Sequence, residues 1–180
     1  MLITDGKGSG GKAEVRNTIL QVSTTHEALR ANRNGDAYCA VANNVDPASA
    51  DDDWFYLKNK DRRDLVVYKI EAWATDTNQD ITIYIGGTDD GQAPKDVVVP
   101  VNMNAGSGKI ADADCCTDET DLAVSGGVVV YKMKLGATAE SLGTFNFPGG
   151  LVLTTNNRLW LQNGTNHDVV NANVYFYFRN

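Results

Sequence analysis

The feature that most constrains this chain is the recurrence of short runs rich in Val, Ile, Thr, Tyr and Phe, each stopping at a cluster of Asn, Asp or Gly. Runs of this kind, at intervals of roughly 8 to 12 residues and without helical segments between them, are the pattern of many short strands joined by turns. The clearest are Asp36 to Ala42, Trp54 to Lys58, Leu65 to Ala74, Asp80 to Gly86 and Val97 to Met103. Farther on come Val128 to Leu135, Leu142 to Phe147, Leu151 to Thr154, Arg158 to Gln162 and Val169 to Arg179, with Glu14 to Val22 as an additional candidate. About ten strands are more than one small sheet needs. The expected fold is therefore all-β: an antiparallel β-sandwich, with a jelly roll as its most specific form.

Two runs show which side chains such strands bury. In Ile81 to Ile85 the three isoleucines share one face, and in Val174 to Phe178 Val174, Phe176 and Phe178 oppose Tyr175 and Tyr177. Both faces of that last strand are bulky, so cover on both sides is expected. Asn34-Gly35 tolerates the positive φ of a tight hairpin turn, and Asp76 to Asp80 and Thr155 to Asn157 read as turns of the same kind. Helical character is confined to Thr24 to Asn32 and to a short turn within Asp112 to Leu122. At 180 residues the chain fits one domain, 13–180. It is preceded by an arm, 1–12, in which Asp5 to Lys12 (DGKGSGGK) is too glycine-rich to fold alone.

Charge and cysteine usage exclude several classes of function. The net charge is -7, and no basic stripe of the nucleic-acid-binding kind occurs. No apolar run is long enough to span a bilayer, and Met1 to Lys12 has no signal-peptide core. Neither nucleic acid nor membrane is an expected partner. Cys39, Cys115 and Cys116 are odd in number with two adjacent, which is not a disulfide framework. With only His26 and His167 beside them, the common zinc patterns cannot be assembled, so no metal and no cofactor are expected.

Each chemical motif is incomplete. Gly6 to Lys12 matches the first seven positions of a phosphate-binding P-loop, but Ala13 stands where a Ser or Thr must ligate magnesium. Asp51 to Asp53, and Asp112, Asp114, Asp118, Glu119 and Asp121, offer hard oxygens to calcium but lack the EF-hand order of ligands; solvated acidic loops are the simpler reading. His26 and His167 sit among polar residues, and Gly106-Ser107-Gly108 is not a nucleophile elbow. No enzyme activity is expected. Trp54, Trp73 and Trp160 could stack on sugars, but each lies in an apolar strand and reads as core. Asn163-Gly164-Thr165 is a glycosylation sequon only in a secreted chain.

Several segments together resemble the jelly-roll head decoration, or cement, proteins of tailed phages. They are the glycine-rich start leading into Glu14 to Val22 (EVRNTILQV), the Asn34-Gly35-Asp36-Ala37-Tyr38 turn into a strand, and the Asp46-Pro47 loop before Trp54 to Asn59 (WFYLKN). A hairpin from Leu65 to Ile85 follows, and the chain closes with Pro148 to Gln162 and Val174 to Asn180. The resemblance spans most of the chain and is one of style. It implies a structural protein made in the host cytoplasm and added to the outside of a capsid, often as a homotrimer, with the major capsid protein as partner. Its contacts would bridge capsid subunits. The arm is the candidate capsid-contacting segment, through Met1, Leu2, Ile3, Lys7 and Lys12, since a mobile segment can order on a partner surface. Tyr175 and Tyr177 are the candidate oligomer contact. The competing reading is a carbohydrate-binding β-sandwich module of a phage tail or fibre.

Overall fold

The computed structural model describes residues 2–4, 12–16, 19–22, 27–75, 79–89, 96–120, 122–136, 141–164 and 169–179. The first strands are β1 (Leu2–Thr4), β2 (Lys12–Arg16) and β3 (Ile19–Val22), followed by the single helix among these residues, α1 (Glu27–Arg33). Next come β4 (Ala37–Val45), β5 (Asp53–Asn59), β6 (Asp64–Ala74) and β7 (Asp80–Asp89). Two short strands, β8 (Asp96–Val97) and β9 (Val101–Asn102), precede β10 (Ala113–Thr117) and β11 (Val124–Lys134). The last are β12 (Gly143–Leu153), β13 (Arg158–Asn163) and β14 (Val170–Arg179).

The body is an antiparallel β-sandwich. One sheet has the order β11-β7-β13-β5-β10-β8 and the other β12-β6-β14-β4-β9, while β1, β2 and β3 form a small sheet of their own. The pairings of the eight long strands nest around one point in the chain. β7 pairs with β11, β6 with β12, β5 with β13 and β4 with β14. Two further pairings, β13 with β7 and β14 with β6, knit each sheet together. The long strands therefore alternate between sheets from β4 to β7 and again from β11 to β14, and from β4 onward no strand hydrogen-bonds to the one that directly follows it.

The alternation in sequence explains the core. Ile81 and Ile83 of β7, Phe55 and Leu57 of β5 and Leu159 and Leu161 of β13 point inward from one sheet. Leu65, Val67 and Ile70 of β6 and Val174, Phe176 and Phe178 of β14 meet them from the other. Tyr38 of β4 stacks on Phe176 and meets Phe178 edge-on, adding offset and T-shaped contacts to area burial. A second apolar layer lies outside the first sheet, where Tyr56, Trp160, Cys116, Leu122 and Val124 are buried together. There Trp160 stacks on Tyr84 at 3.8 Å with the rings nearly parallel.

α1 covers part of the outer face of the second sheet. Ala31 of α1 packs with Ala37, Val66 and Tyr177, and Ala28 and Tyr68 flank them. The helix ends in a Schellman cap: the amide of Gly35 donates to Asn32 O and that of Asp36 to Ala31 O, with Gly35 at φ +73°. Asn34-Gly35 thus stops a helix, where the sequence suggested a hairpin turn. The same residues that permit positive φ serve both devices, and the helix before them decides which.

Other local expectations are also corrected. Leu65 to Ile85 is not a hairpin, because β6 and β7 belong to opposite sheets; Thr155 to Asn157 likewise joins β12 to β13 across the sandwich. Val97 to Met103 is broken into β8 and β9 around Pro100, and it passes from the edge of one sheet to the edge of the other. Asp112 to Leu122, read as holding a helical turn, instead contains β10, because Ala113 to Thr117 finds a backbone partner in β5. Leu142 to Phe147 and Leu151 to Thr154 merge into β12, whose register shifts between Asn146 and Leu151 to take up Pro148-Gly149-Gly150. Glu14 to Val22 divides into β2 and β3, which pair with each other.

Candidate functional site

The residues first singled out for contacts are scattered. Met1 and Lys7 lie outside the described residues, and Leu2, Ile3 and Lys12 belong to β1 and β2. Leu2–Thr4, inside the stretch read as a mobile arm, is thus a strand paired with Thr4 opposite Lys12. Tyr175 and Tyr177 do project from the outer face of the second sheet, but α1 covers Tyr177. Its hydroxyl donates to Glu27 Oε2 at 3.0 Å, and burial together with that carboxylate pushes its pKa up to about 12. Tyr177 is corrected from an exposed contact to the floor of a helix seat.

Tyr175 remains half-buried. Its hydroxyl donates to Glu71 Oε2 at 2.8 Å while the Lys69 ammonium, which pairs with Glu71, lies 5.1 Å from its ring centroid. Burial first and then the Glu71 hydrogen bond push its pKa up to about 12. Beside α1 lies a polar hollow of about 410 Å³ lined by Glu27, Arg30, Asn34, Asp36, Tyr177 and Arg179 among others. Its Asp36 is held by Arg63 at 2.9 Å and Lys109 at 3.0 Å. Burial raises the Asp36 carboxyl, but these two cations outweigh it and leave the pKa below the ordinary value. The hollow is braced by its own ion pairs.

Three carboxylates of the acidic loops, Asp52, Asp53 and Asp118, are spent on structure. Asp53 accepts the Val124 amide at 3.0 Å and the Gln162 side-chain amide at 3.2 Å; Asp52 accepts both the amide and the hydroxyl of Ser49. Asp118 accepts the amide and hydroxyl of Thr120, each at 2.8 Å. Among the described residues no group of three or more His, Cys, Asp or Glu side chains could hold a metal ion. His26 and His167 lie outside the described residues, as does the P-loop-like stretch before Lys12.

Cys115 is in the core and Cys116 in the outer apolar layer, and burial pushes the Cys39 thiol up to about 11. None of the three is in a disulfide, and burial also raises the Cys115 thiol well above its ordinary value. Trp54 and Trp160 are buried, whereas Trp73 is half-buried and stands opposite Asn171 on the outer face of the second sheet. Asn163 of the sequon is buried, and its side-chain amide donates to Ser49 O at 3.0 Å, which closes it to glycosylation.

Most of the large apolar side chains that reach solvent lie at the sandwich edges. At the side closed by β8 and β9, Val97 is 74% exposed, Val99 71% and Ile110 82%. They border a cleft of about 290 Å³ whose walls include Tyr56, Val98, Pro100, Ala111 and Cys116. At the opposite side, formed by β11 and β12, Val128, Val129, Tyr131 and Leu142 are exposed. Periodicity had placed Val97, Val99, Val128 and Val129 in strands; that those strands sit at edges has no local signal. No family model matches the chain. No curated protein and no solved structure matches it either. No helix among the described residues is long and apolar enough to cross a membrane.

Proposed function

We propose that this chain is a structural virion protein that binds the outer surface of a phage capsid and bridges its subunits, with the major capsid protein as partner. The observation that carries this reading is the collection of exposed large apolar side chains along the sandwich edges, which docking on another surface would bury. The nested strand order supports a jelly-roll reading of the sandwich, since two four-stranded halves wound from one long hairpin are what that fold requires. On this reading the protein associates as a homotrimer, is made in the host cytoplasm and ends in the virion. It acts through association free energy and not through catalysis.

The test is to mix purified protein with particles lacking it and to follow cosedimentation and particle melting. Saturable binding with a raised melting temperature is expected; no binding to intact heads would overturn the proposal. Trp73 favours a second reading, a carbohydrate-binding module of a phage tail or fibre. It stands on the outer face of the second sheet, as do Tyr68 and Tyr175, and tryptophan emission quenched by glycans and lost in Trp73→Ala would establish it.

A further inference from the structure

We infer that the two opposite edges of the sandwich are the two halves of one head-to-tail interface between copies of this chain. On the first edge, the run 96–102 crosses from β8 to β9 and turns Val97, Val99 and Val101 outward while Val98 packs on the core. With Ile110, Val97 and Val99 rim the 290 Å³ cleft, so this edge is concave and largely apolar. On the second edge, Val128, Val129, Tyr131 and Leu142 project from and beside β11 and β12. Tyr131 is braced edge-on against Phe145 at 4.7 Å, and β11 and β12 each have a neighbour strand on one side alone. This edge is apolar, with Val128 and Val129 on its two faces.

Charge distinguishes the edges in the same sense. The charged residues of β11 and β12 are Lys134 and Lys132, both exposed, the latter 3.5 Å from Asp80, whereas the first edge exposes Asp96 and Asp112 together with Asp114, which pairs with Lys60, and its Lys109 is turned to Asp36. A second copy therefore offers projecting apolar side chains to the cleft, and the Lys134 and Lys132 ammonium groups to Asp96 and Asp112. The edges stand at opposite ends of both sheets, so one copy cannot satisfy itself. Two different patches that complement each other make a heterologous contact, which repeats until a ring closes. The inference draws on the same exposed edges as the capsid reading but assigns them to contacts between copies, and its test needs no capsid.

The experiment is sedimentation of the purified full chain over a range of concentrations, with Val99→Asp blocking the first edge and Leu142→Asp the second. Both positions are well exposed, and far-UV circular dichroism checks that each variant is folded. Wild type is expected to self-associate, and each variant alone to lose at least about tenfold in association, as hot-spot loss does. An equimolar mixture of the two should regain assembly but stop at a dimer, because one intact edge remains on each partner. A monomeric wild type overturns the inference, and so does a variant that assembles as wild type or a mixture that stays monomeric. Lys132→Glu with Lys134→Glu supplies a second test: weakened assembly, restored by mixing with Asp96→Lys, supports the charge pairing, and undiminished assembly counts against it.

Discussion

Tyr175 and Tyr177 leave the same strand on the same face, and what lies above each decides its chemistry. Tyr177 is sealed by α1 and bound to Glu27; Tyr175 is open on one side and bound to Glu71. Tyr177→Phe removes the hydrogen bond to the exposed Glu27 and is expected to lose about 1 kcal/mol in urea unfolding at neutral pH. The pH dependence has a definite sign. A phenol whose pKa rises from 10.0 to about 12 on folding adds stability that is fully present below pH 10 and is lost as pH rises toward 12. The fall in stability of the wild type above pH 10 should therefore be shallower in the variant. An equally steep fall would place the alkaline sensitivity elsewhere.

At the scale of elements, α1 shows how little a short helix owes to itself. Seven residues are too few for a stable isolated helix, so its existence rests on the cap at Gly35 and on the seat over Val66 and Tyr177. Ala31→Asp would put a carboxylate into that seat. Amide exchange over residues 27–35 should then rise toward the rate of an open chain while β6 and β14 keep their protection, as expected when one unit opens locally. Loss of protection throughout would mean that α1 holds the sandwich together. The Arg63 side chain makes the connection between the cap and the sheet: it pairs with Asp36 and Asp61 and lies 4.8 Å from the Phe178 ring centroid.

For the whole molecule, nesting sets both the difficulty of folding and the shape of the surface. Tyr38 pairs with Phe176 and Leu57 with Leu159, so the sheets form only when distant parts of the chain meet. Such non-local pairing is slow: refolding from urea is expected in the range of milliseconds to seconds, read by stopped-flow tryptophan emission. Refolding in microseconds would be incompatible with this order of assembly. The same nesting sets β11 and β12 on one rim and β8 and β9 on the other, which concentrates exposed apolar side chains at two ends of one molecule.

By itself the sequence determined the class of fold and the direction of most side chains. The alternation in Ile81 to Ile85 and in Val174 to Phe178 fixes which residues face the core, because a strand's period of two is a local property. Turn chemistry was legible as a break and not as a connection: Asn34-Gly35 ends a helix, and Thr155 to Asn157 arches between sheets, because a turn's φ values do not say which strands pair beyond it. The tertiary structure alone decided that Asp112 to Leu122 holds a strand, since β10 exists by pairing with β5. It also decided that Tyr177 is covered and that Val99 and Leu142 are bare. Burial of a side chain depends on which element lies above it, and that is settled by contacts between residues far apart in the chain.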